Sequence, residues 1–251
     1  MSAPAPSRPS RALRSLPLAL VGMTLALVAV GRDPRALVPM LVVTAVLFTP
    51  VLIGRWRMRK LLMSGDVERV IGTWEGSIAR VAYAETMAPL LRATAYSAYG
   101  WLEGGRRALD RSAKGPAWDA AIEQRLFVET LLDTFEGRRQ DALRKAEQLG
   151  ALPNRARGLM ARRRIESLRQ GLAAFARAFA HESRNGDARI LSRAASASPL
   201  VHWAMRYAAA IVAVDGGRAY DVRALLAGAP EWPEQSAFHG YHGELLAQAG
   251  G

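Results

Sequence analysis

The chain has 251 residues, a formal net charge of +12 and no cysteine. The lack of cysteine excludes disulfide bonds, thiol catalysis, and iron–sulfur or cysteine-ligated zinc sites. Residues 1–60 carry nine Lys and Arg against one Asp (+8), whereas residues 61–251 carry 25 against 21 acids (+4). Most of the basicity therefore lies at the N-terminal end and gives little reason to expect a nucleic-acid partner.

Two uncharged, apolar runs follow a basic tail at residues 1–14. The first run, Ser15 to Gly31, has 17 residues and the second, Ala36 to Gly54, has 19. A membrane helix needs about 17–25 such residues, and only a short charged loop separates the two runs. The sequence predicts that residues 15–54 form a transmembrane helical hairpin and that residues 55–251 form a cytoplasmic helical domain.

Cations on both outer flanks of the apolar runs favour a two-pass protein of a bacterial inner membrane, with both termini in the cytoplasm. They are Arg8, Arg11 and Arg14 before the first run and Arg55, Arg57, Arg59 and Lys60 after the second. One alternative is that the first run is a secretory signal cleaved after Gly31, which makes the rest a periplasmic repeat protein. Another is that both runs are buried helices of a soluble fold.

From Leu61 onward the pattern predicts an all-α domain, because Ala, Leu, Arg and Glu dominate and no stretch alternates with a period of two. Glycines followed by an apolar helical pattern recur at positions 65, about 104, 137, 186 and 217, which gives intervals of 39, 33, 49 and 31 residues. The clearest instance runs from Leu131 to Pro153.

This arrangement resembles the tetratricopeptide repeat, in which a helix, a tight glycine turn, a second helix with small residues at the crossing and a proline make one unit of about 34 residues. The resemblance implies an α-solenoid of about five degenerate helical hairpins. It also implies turn or packing roles for Gly65, Gly137, Ala142, Gly186 and Gly217. The long interval implies an elongated helix or an inserted turn between residues 155 and 184. The alternative is an irregular bundle whose helices end in glycine.

Motifs for catalysis and cofactors are missing from the sequence. It contains no nucleophile elbow, phosphate-binding loop or dinucleotide glycine pattern. His239 and His242 are three residues apart and lack the spacing and internal glutamate of zinc proteases, and His181 and His202 are isolated. We therefore expect a non-enzyme with no catalytic residue, no cofactor and no metal.

The strongest local charge cluster of the helical domain consists of Arg155, Arg157, Arg162, Arg163 and Arg164. These cations are candidates for contact with lipid headgroups of a bilayer or with an acidic protein. The alternative is a solvated helix face that pairs with acids such as Glu166. Aromatic residues that would stack on bases are not interleaved with the cluster, so no nucleic acid is expected.

The repeat resemblance implies protein–protein interaction. Together with the predicted anchor, it favours a membrane-anchored scaffold or adaptor for an unidentified protein partner. The alternative is a non-catalytic subunit of a membrane enzyme or transport complex.

Overall fold

The computed structural model describes residues 37–78 and 80–250. Contacts between Cα atoms divide the chain into two compact units, residues 1–58 and residues 59–251. The described residues are all-α and contain no strand. This agrees with the predicted fold class at the level of secondary structure.

The N-terminal unit corrects the predicted localisation. Among the described residues, no helix is both long enough and apolar enough to cross a membrane. Helix α1, Leu37–Leu62, does not stop where the second apolar run ends but continues through Arg55, Arg57, Arg59 and Lys60. The side chains described on α1, at residue 46 and from 48 to 62, thus include four cations. The predicted two-pass inner-membrane location with cytoplasmic termini is therefore wrong, and the first apolar run, residues 15–31, lies outside the described residues.

The second unit consists of short and medium helices. In chain order, they are α2 Val67–Ile78, α3 Ala84–Ala98, α4 Leu102–Asp110, α5 Pro116–Ala120, α6 Ile122–Phe135, α7 Arg139–Ala151, α8 Leu159–Ala180, α9 Asp187–Ala197, α10 His202–Asp215, α11 Val222–Leu225 and α12 Ala237–Gln248. Single 3₁₀ turns at Pro199–Val201 and Ala219–Asp221 precede α10 and α11.

Four of these helices, α3, α6, α8 and α10, organise the packing, and we call them the lead helices. Each lead helix packs against a shorter partner helix that follows it, respectively α4, α7, α9 and α11. Each of the first three also packs against the next lead helix, and α10 packs against α12. Each lead helix thus forms a helical hairpin with the helix that follows it, and consecutive lead helices are in contact.

All four lead helices end in the same way, at Gly100, Gly137, His181 and Gly217. Each of these residues has a positive φ, and the N–H of the next residue donates to the carbonyl five positions earlier at 2.7 to 2.9 Å. This is the Schellman motif, which satisfies carbonyls at a helix end. Glycine suits it because glycine has no Cβ to strain a left-handed backbone. The four turn residues are 37, 44 and 36 positions apart, and three of the four are glycine.

The structure moves one of the predicted turns. The turn expected near Gly104 is at Gly100, and Gly104 lies inside α4, where a Cβ would be 3.0 Å from the ring of Tyr96. Gly186 directly precedes α9, with a φ of 94°, and α8 ends earlier, at Ala180. The long interval arises because α8 has 22 residues, whereas α3, α6 and α10 have 14 or 15. Gly65, with a φ of 81°, precedes α2 and lies against Pro230.

Small residues allow close approach where α8 crosses its neighbours. Ala142 on α7 is 1% exposed and clusters with Ala146 and with Ala176 of α8. On the other side of α8, a Cβ on Gly171 would collide with the Cβ of Ala194 on α9. These crossings leave no room for a larger side chain.

We expect Ala142→Trp to lower the free energy of unfolding by about 1–3 kcal/mol, because an indole at this crossing forces α7 and α8 apart. Urea unfolding followed by circular dichroism measures the change. Gln148→Trp, an exposed position on the same helix, is the matched control and should cost less than about 0.5 kcal/mol. An unchanged midpoint for Ala142→Trp would show that Ala142 is not at a packed crossing.

A buried ion pair fixes the start of α9 against α8. Arg177 donates to both carboxylate oxygens of Asp187, from Nε at 3.0 Å and from Nη2 at 2.6 Å. The backbone N–H of Arg184 donates to the same carboxylate at 2.9 Å. Burial alone would raise the pKa of Asp187, but these hydrogen bonds and the charges of Arg177 and Arg184 hold that pKa below its usual value.

Because the pKa of Asp187 is lowered by folding, its contribution to stability is present at neutral pH and is lost in acid, as the pH falls from about 5 towards the lowered pKa. We expect Asp187→Asn to show a smaller loss of stability than the wild-type chain between neutral pH and pH 3. Urea midpoints measured across this range test the expectation. Parallel pH profiles for the two chains would contradict it.

Candidate functional site

The predicted cation cluster lies where α8 begins. Arg155 and Arg157 are in the loop before α8, and Arg162, Arg163 and Arg164 are on its first two turns; all five side chains are exposed. None of these guanidinium groups forms an ion pair with a residue that the structure describes. Their charges are therefore available to a partner.

The loop that carries the first two of these cations is held against α8. Asn154 donates from Nδ2 to the carbonyl of Arg162 at 3.1 Å and accepts from the N–H of Ala156 at 3.1 Å. Arg162 donates from Nε to the carbonyl of Ala156 at 3.0 Å. Glu166, the acid expected to pair with the cluster, accepts instead from Gln170 at 2.9 Å. The pairing with Glu166 that the solvated-face alternative expected is thus not seen.

Apolar side chains are exposed on the same two turns of α8. Leu159 is 74% exposed and Met160 is 82% exposed. These turns are the extra length by which α8 exceeds the other lead helices, and every residue from 159 to 164 is exposed. Exposed large apolar groups beside unpaired cations are typical of an interaction surface.

An apolar groove continues from this end of α8. It has a volume of about 590 Å³ and lies among the first turns of α3 and α6, the last turn of α7 and the second and third turns of α8, with α5 beside it. The apolar side chains that the groove is built from include Val81, Met87, Phe127, Ile165 and Leu168. Because Ile165 directly follows the last arginine of the cluster and Leu168 follows it by about one helical turn, the groove and the cluster share one segment of α8.

Tyr83 lines this groove in an unusual conformation. Its backbone is left-handed, with φ 58° and ψ 51°, and its side chain is 73% exposed. A left-handed conformation costs a non-glycine residue about 1–2 kcal/mol, and such strain is concentrated at functional sites. The carbonyl of Tyr83 accepts the first hydrogen bonds of α3, from Thr86 at 3.0 Å and Met87 at 2.9 Å.

Arg169 forms a rigid part of the groove wall. Its buried guanidinium donates to Glu123 of α6 at 2.9 and 3.1 Å, and to the carbonyls of Leu152 and Pro153 just after α7. One side chain thus ties together α6, α7 and α8. The groove is therefore formed before any partner binds.

The C-terminal histidines have hydrogen-bonding roles. His239 Nδ1 lies 2.9 Å from the carbonyl of Trp232, and His242 Nδ1 lies 2.8 Å from the hydroxyl of Tyr207. Trp232 Nε1 donates to that same hydroxyl at 2.8 Å, and burial raises the pKa of Tyr207. Within the described part of the chain, no group of three His, Asp or Glu side chains has an arrangement that would hold a metal ion.

Taken together, the first half of α8 and the groove offer positive charge, exposed apolar side chains and a preformed apolar wall. The residues that line the groove were not evident in the sequence, because the groove is assembled from α3 and the segment before it, and from α5, α6, α7 and α8. The one local signal was Arg169, a cation four residues after Ile165 on an otherwise apolar helix face. Comparison with models of known protein families, with curated proteins and with solved structures finds no match for this chain.

Proposed function

We propose that this protein is a non-catalytic interaction scaffold that binds an acidic, amphipathic segment of a partner protein along the first half of α8. The observation that carries the proposal is the coincidence, on one helical segment, of unpaired arginines, exposed Leu159 and Met160, and the apolar groove. Each feature alone is common, but together they are complementary to a segment with acids on one side and large apolar residues on the other.

The positive charge of the arginine cluster favours a negatively charged partner. The five cations of the cluster lie within ten residues, and none of them forms an ion pair with a described acid. A field of this kind speeds the encounter with an acidic partner and excludes a basic one. The apolar groove then supplies contact area, since its volume lies within the range of about 300–1,000 Å³ that ligand-binding clefts occupy.

We also propose that the lead helices and their partner helices are degenerate tetratricopeptide-like hairpins. Two features support this: the neighbour-to-neighbour packing, and the recurrence of one helix ending at intervals of 37, 44 and 36 residues, against a family period of about 34. Under this proposal there are four hairpin units, one for each lead helix, whereas the sequence pattern predicted about five. In this arrangement α12, which packs on α10 and α11, covers the last unit as a terminal helix.

Selection from a library of random peptides displayed on phage tests the proposed function. We expect the full chain to enrich peptides that combine net negative charge with at least two large apolar residues. The triple substitution Arg162→Glu, Arg163→Glu and Arg164→Glu should weaken the binding of these peptides by about tenfold or more, mainly through a slower on-rate and with a marked salt dependence.

The matched control carries the same change of net charge at exposed arginines elsewhere, Arg69→Glu, Arg111→Glu and Arg223→Glu. This control should bind the peptides as the wild-type chain does. Equal loss in both triple variants would mean that net charge alone attracts the peptides. Enrichment of neutral or basic peptides would contradict the proposal.

A further inference from the structure

A second cavity, of about 290 Å³, lies at the opposite ends of the lead helices. The final turns of α6, α8 and α10 line it, and α12 lies alongside. The polar side chains that line this cavity are those of Thr134, Arg139, His181, Asp215, Tyr241, Glu244 and Gln248. None of these residues belongs to the surface at the start of α8.

His181 and Asp215 both depart from the pattern that the lead helices otherwise share. Glycine occupies the turn position in the other three lead helices, whereas α8 has His181, with a φ of 59°. Two positions before the turn residue, α3, α6 and α8 have a buried apolar side chain, whereas α10 has Asp215.

The side chains of His181 and Asp215 are in contact. His181 Nδ1 lies 3.0 Å from Oδ1 and 3.1 Å from Oδ2 of Asp215. The fold itself would be satisfied by glycine and an apolar residue, as it is in the other units. Because a left-handed histidine is strained, a requirement beyond folding is the more direct explanation of the pair.

Three of the side chains that line this cavity, those of His181, Asp215 and Glu244, can offer hydrogen-bond acceptors. In the tautomer that donates from Nδ1 to the carboxylate, His181 presents Nε2 as an acceptor, and Nε2 has no hydrogen bond to any described residue. Glu244 is exposed and forms no ion pair within the described part of the chain. Three helices end here, and their last carbonyls carry partial negative charge.

An aromatic wall adjoins these acceptors. The rings of Phe179 and Tyr241 are in edge-to-face contact, with centroids 5.1 Å apart, and Ile211 and Leu245 are buried beside them. Aromatic faces attract organic cations. Arg139 is the one permanent cation among the lining residues, and it is outnumbered by the two carboxylates.

We propose that this cavity binds a small organic ammonium ion with an aromatic or aliphatic body. The body packs against Phe179 and Tyr241, and the ammonium group donates to His181 Nε2 and to the carboxylates of Asp215 and Glu244. Binding here is independent of the partner surface on α8, since the two sites share no residue.

Isothermal titration of the full chain with three matched probes tests this site: 2-phenylethylammonium, its neutral analogue 2-phenylethanol, and phenylacetate. We expect the ammonium probe to bind about tenfold or more tightly than the alcohol, because hydrogen bonds to charged groups are the stronger ones. Phenylacetate should bind most weakly. Equal affinities for the three probes, or no binding of the ammonium probe at millimolar concentration, would overturn the proposal.

Two variants separate binding from folding. His181→Gly relieves the strained backbone, so the melting temperature should stay unchanged or rise. The same substitution should weaken the binding of the ammonium probe by about tenfold. Glu244→Gln, at an exposed position, should weaken the binding of the ammonium probe and leave the melting temperature unchanged. Glu234→Gln, which is exposed outside the cavity, should change neither the affinity for the probe nor the melting temperature. Wild-type affinity in both His181→Gly and Glu244→Gln would also overturn the proposal.

Discussion

Replacing Asp133 with Asn is expected to lower the free energy of unfolding by about 3–5 kcal/mol, because it removes the one buried acid of an ion network together with its charge-assisted hydrogen bonds to three cations. Asp133 lies on α6 and is 1% exposed. Its Oδ1 accepts from Arg106 of α4 at 2.5 Å and from Arg138 Nη2 at 2.5 Å, and its Oδ2 accepts from Lys145 of α7 at 2.7 Å. One carboxylate thus holds three cations from three segments of the chain.

The network is balanced only while Asp133 is ionised. Glu129 and Glu136 are its other acids, and Lys145 lies 2.9 Å from Glu129. Burial alone would lower the pKa of Lys145, but Asp133 and Glu129 more than offset burial and raise it. An asparagine at position 133 would leave three cations with two acids, so the desolvation of one charge would no longer be compensated.

Urea unfolding monitored by circular dichroism measures this loss. Asp141→Asn is the matched control, since Asp141 makes an exposed pair with Arg144 at 2.6 Å and should cost less than about 1 kcal/mol. If Asp133→Asn costs no more than Asp141→Asn, the network does not connect α4, α6 and α7 energetically.

Replacing Phe238 with Ala is expected to cost about 3–5 kcal/mol, through lost burial and the cavity left behind. Phe238 is fully buried near the start of α12. Its ring centroid lies 4.7 Å from those of Tyr207 and Trp232 and 5.2 Å from that of Phe135. It therefore joins the C-terminal helix to two lead helices, α6 and α10.

Thermal and urea unfolding of Phe238→Ala test whether α12 belongs to the same cooperative core. Tyr220→Ala, which removes an exposed aromatic ring, is the control and should change stability by about 0.5 kcal/mol or less. We expect a single unfolding transition for Phe238→Ala, shifted to lower temperature and lower urea concentration than that of the wild-type chain. A separate early transition for α12, with the remainder unshifted, would show that the C-terminal helix folds independently.

Helical periodicity and turn glycines predicted part of this fold. Gly137 and Gly217 mark helix endings in the sequence because a left-handed turn residue strongly favours glycine. The same rule did not identify the end of α8, because His181 and not a glycine occupies the left-handed position there. Backbone hydrogen bonds of the Schellman motif hold a histidine in this conformation, and no local pattern of residues signals that exception.

The candidate sites were predicted less well, because they depend on packing between distant segments. The sequence singled out the cations from Arg155 to Arg164 as a local cluster. It gave no sign that Tyr83 and Phe127 come together with Leu168 around one groove, or that His181 meets Asp215 34 positions later. The prediction of location failed for a related reason: the hydropathy of the second apolar run gave no sign that its helix continues through four cations.

Hydrogen–deuterium exchange of the full chain, with and without an acidic peptide obtained by the selection, tests most directly whether the first half of α8 is the partner surface. Peptide binding should slow exchange in residues 155–169 and in residues 81–87, the segments that carry the cations and the groove. The triple glutamate variant should show no such protection at the same peptide concentration. Protection confined to other segments, with residues 155–169 unchanged, would contradict the proposed surface.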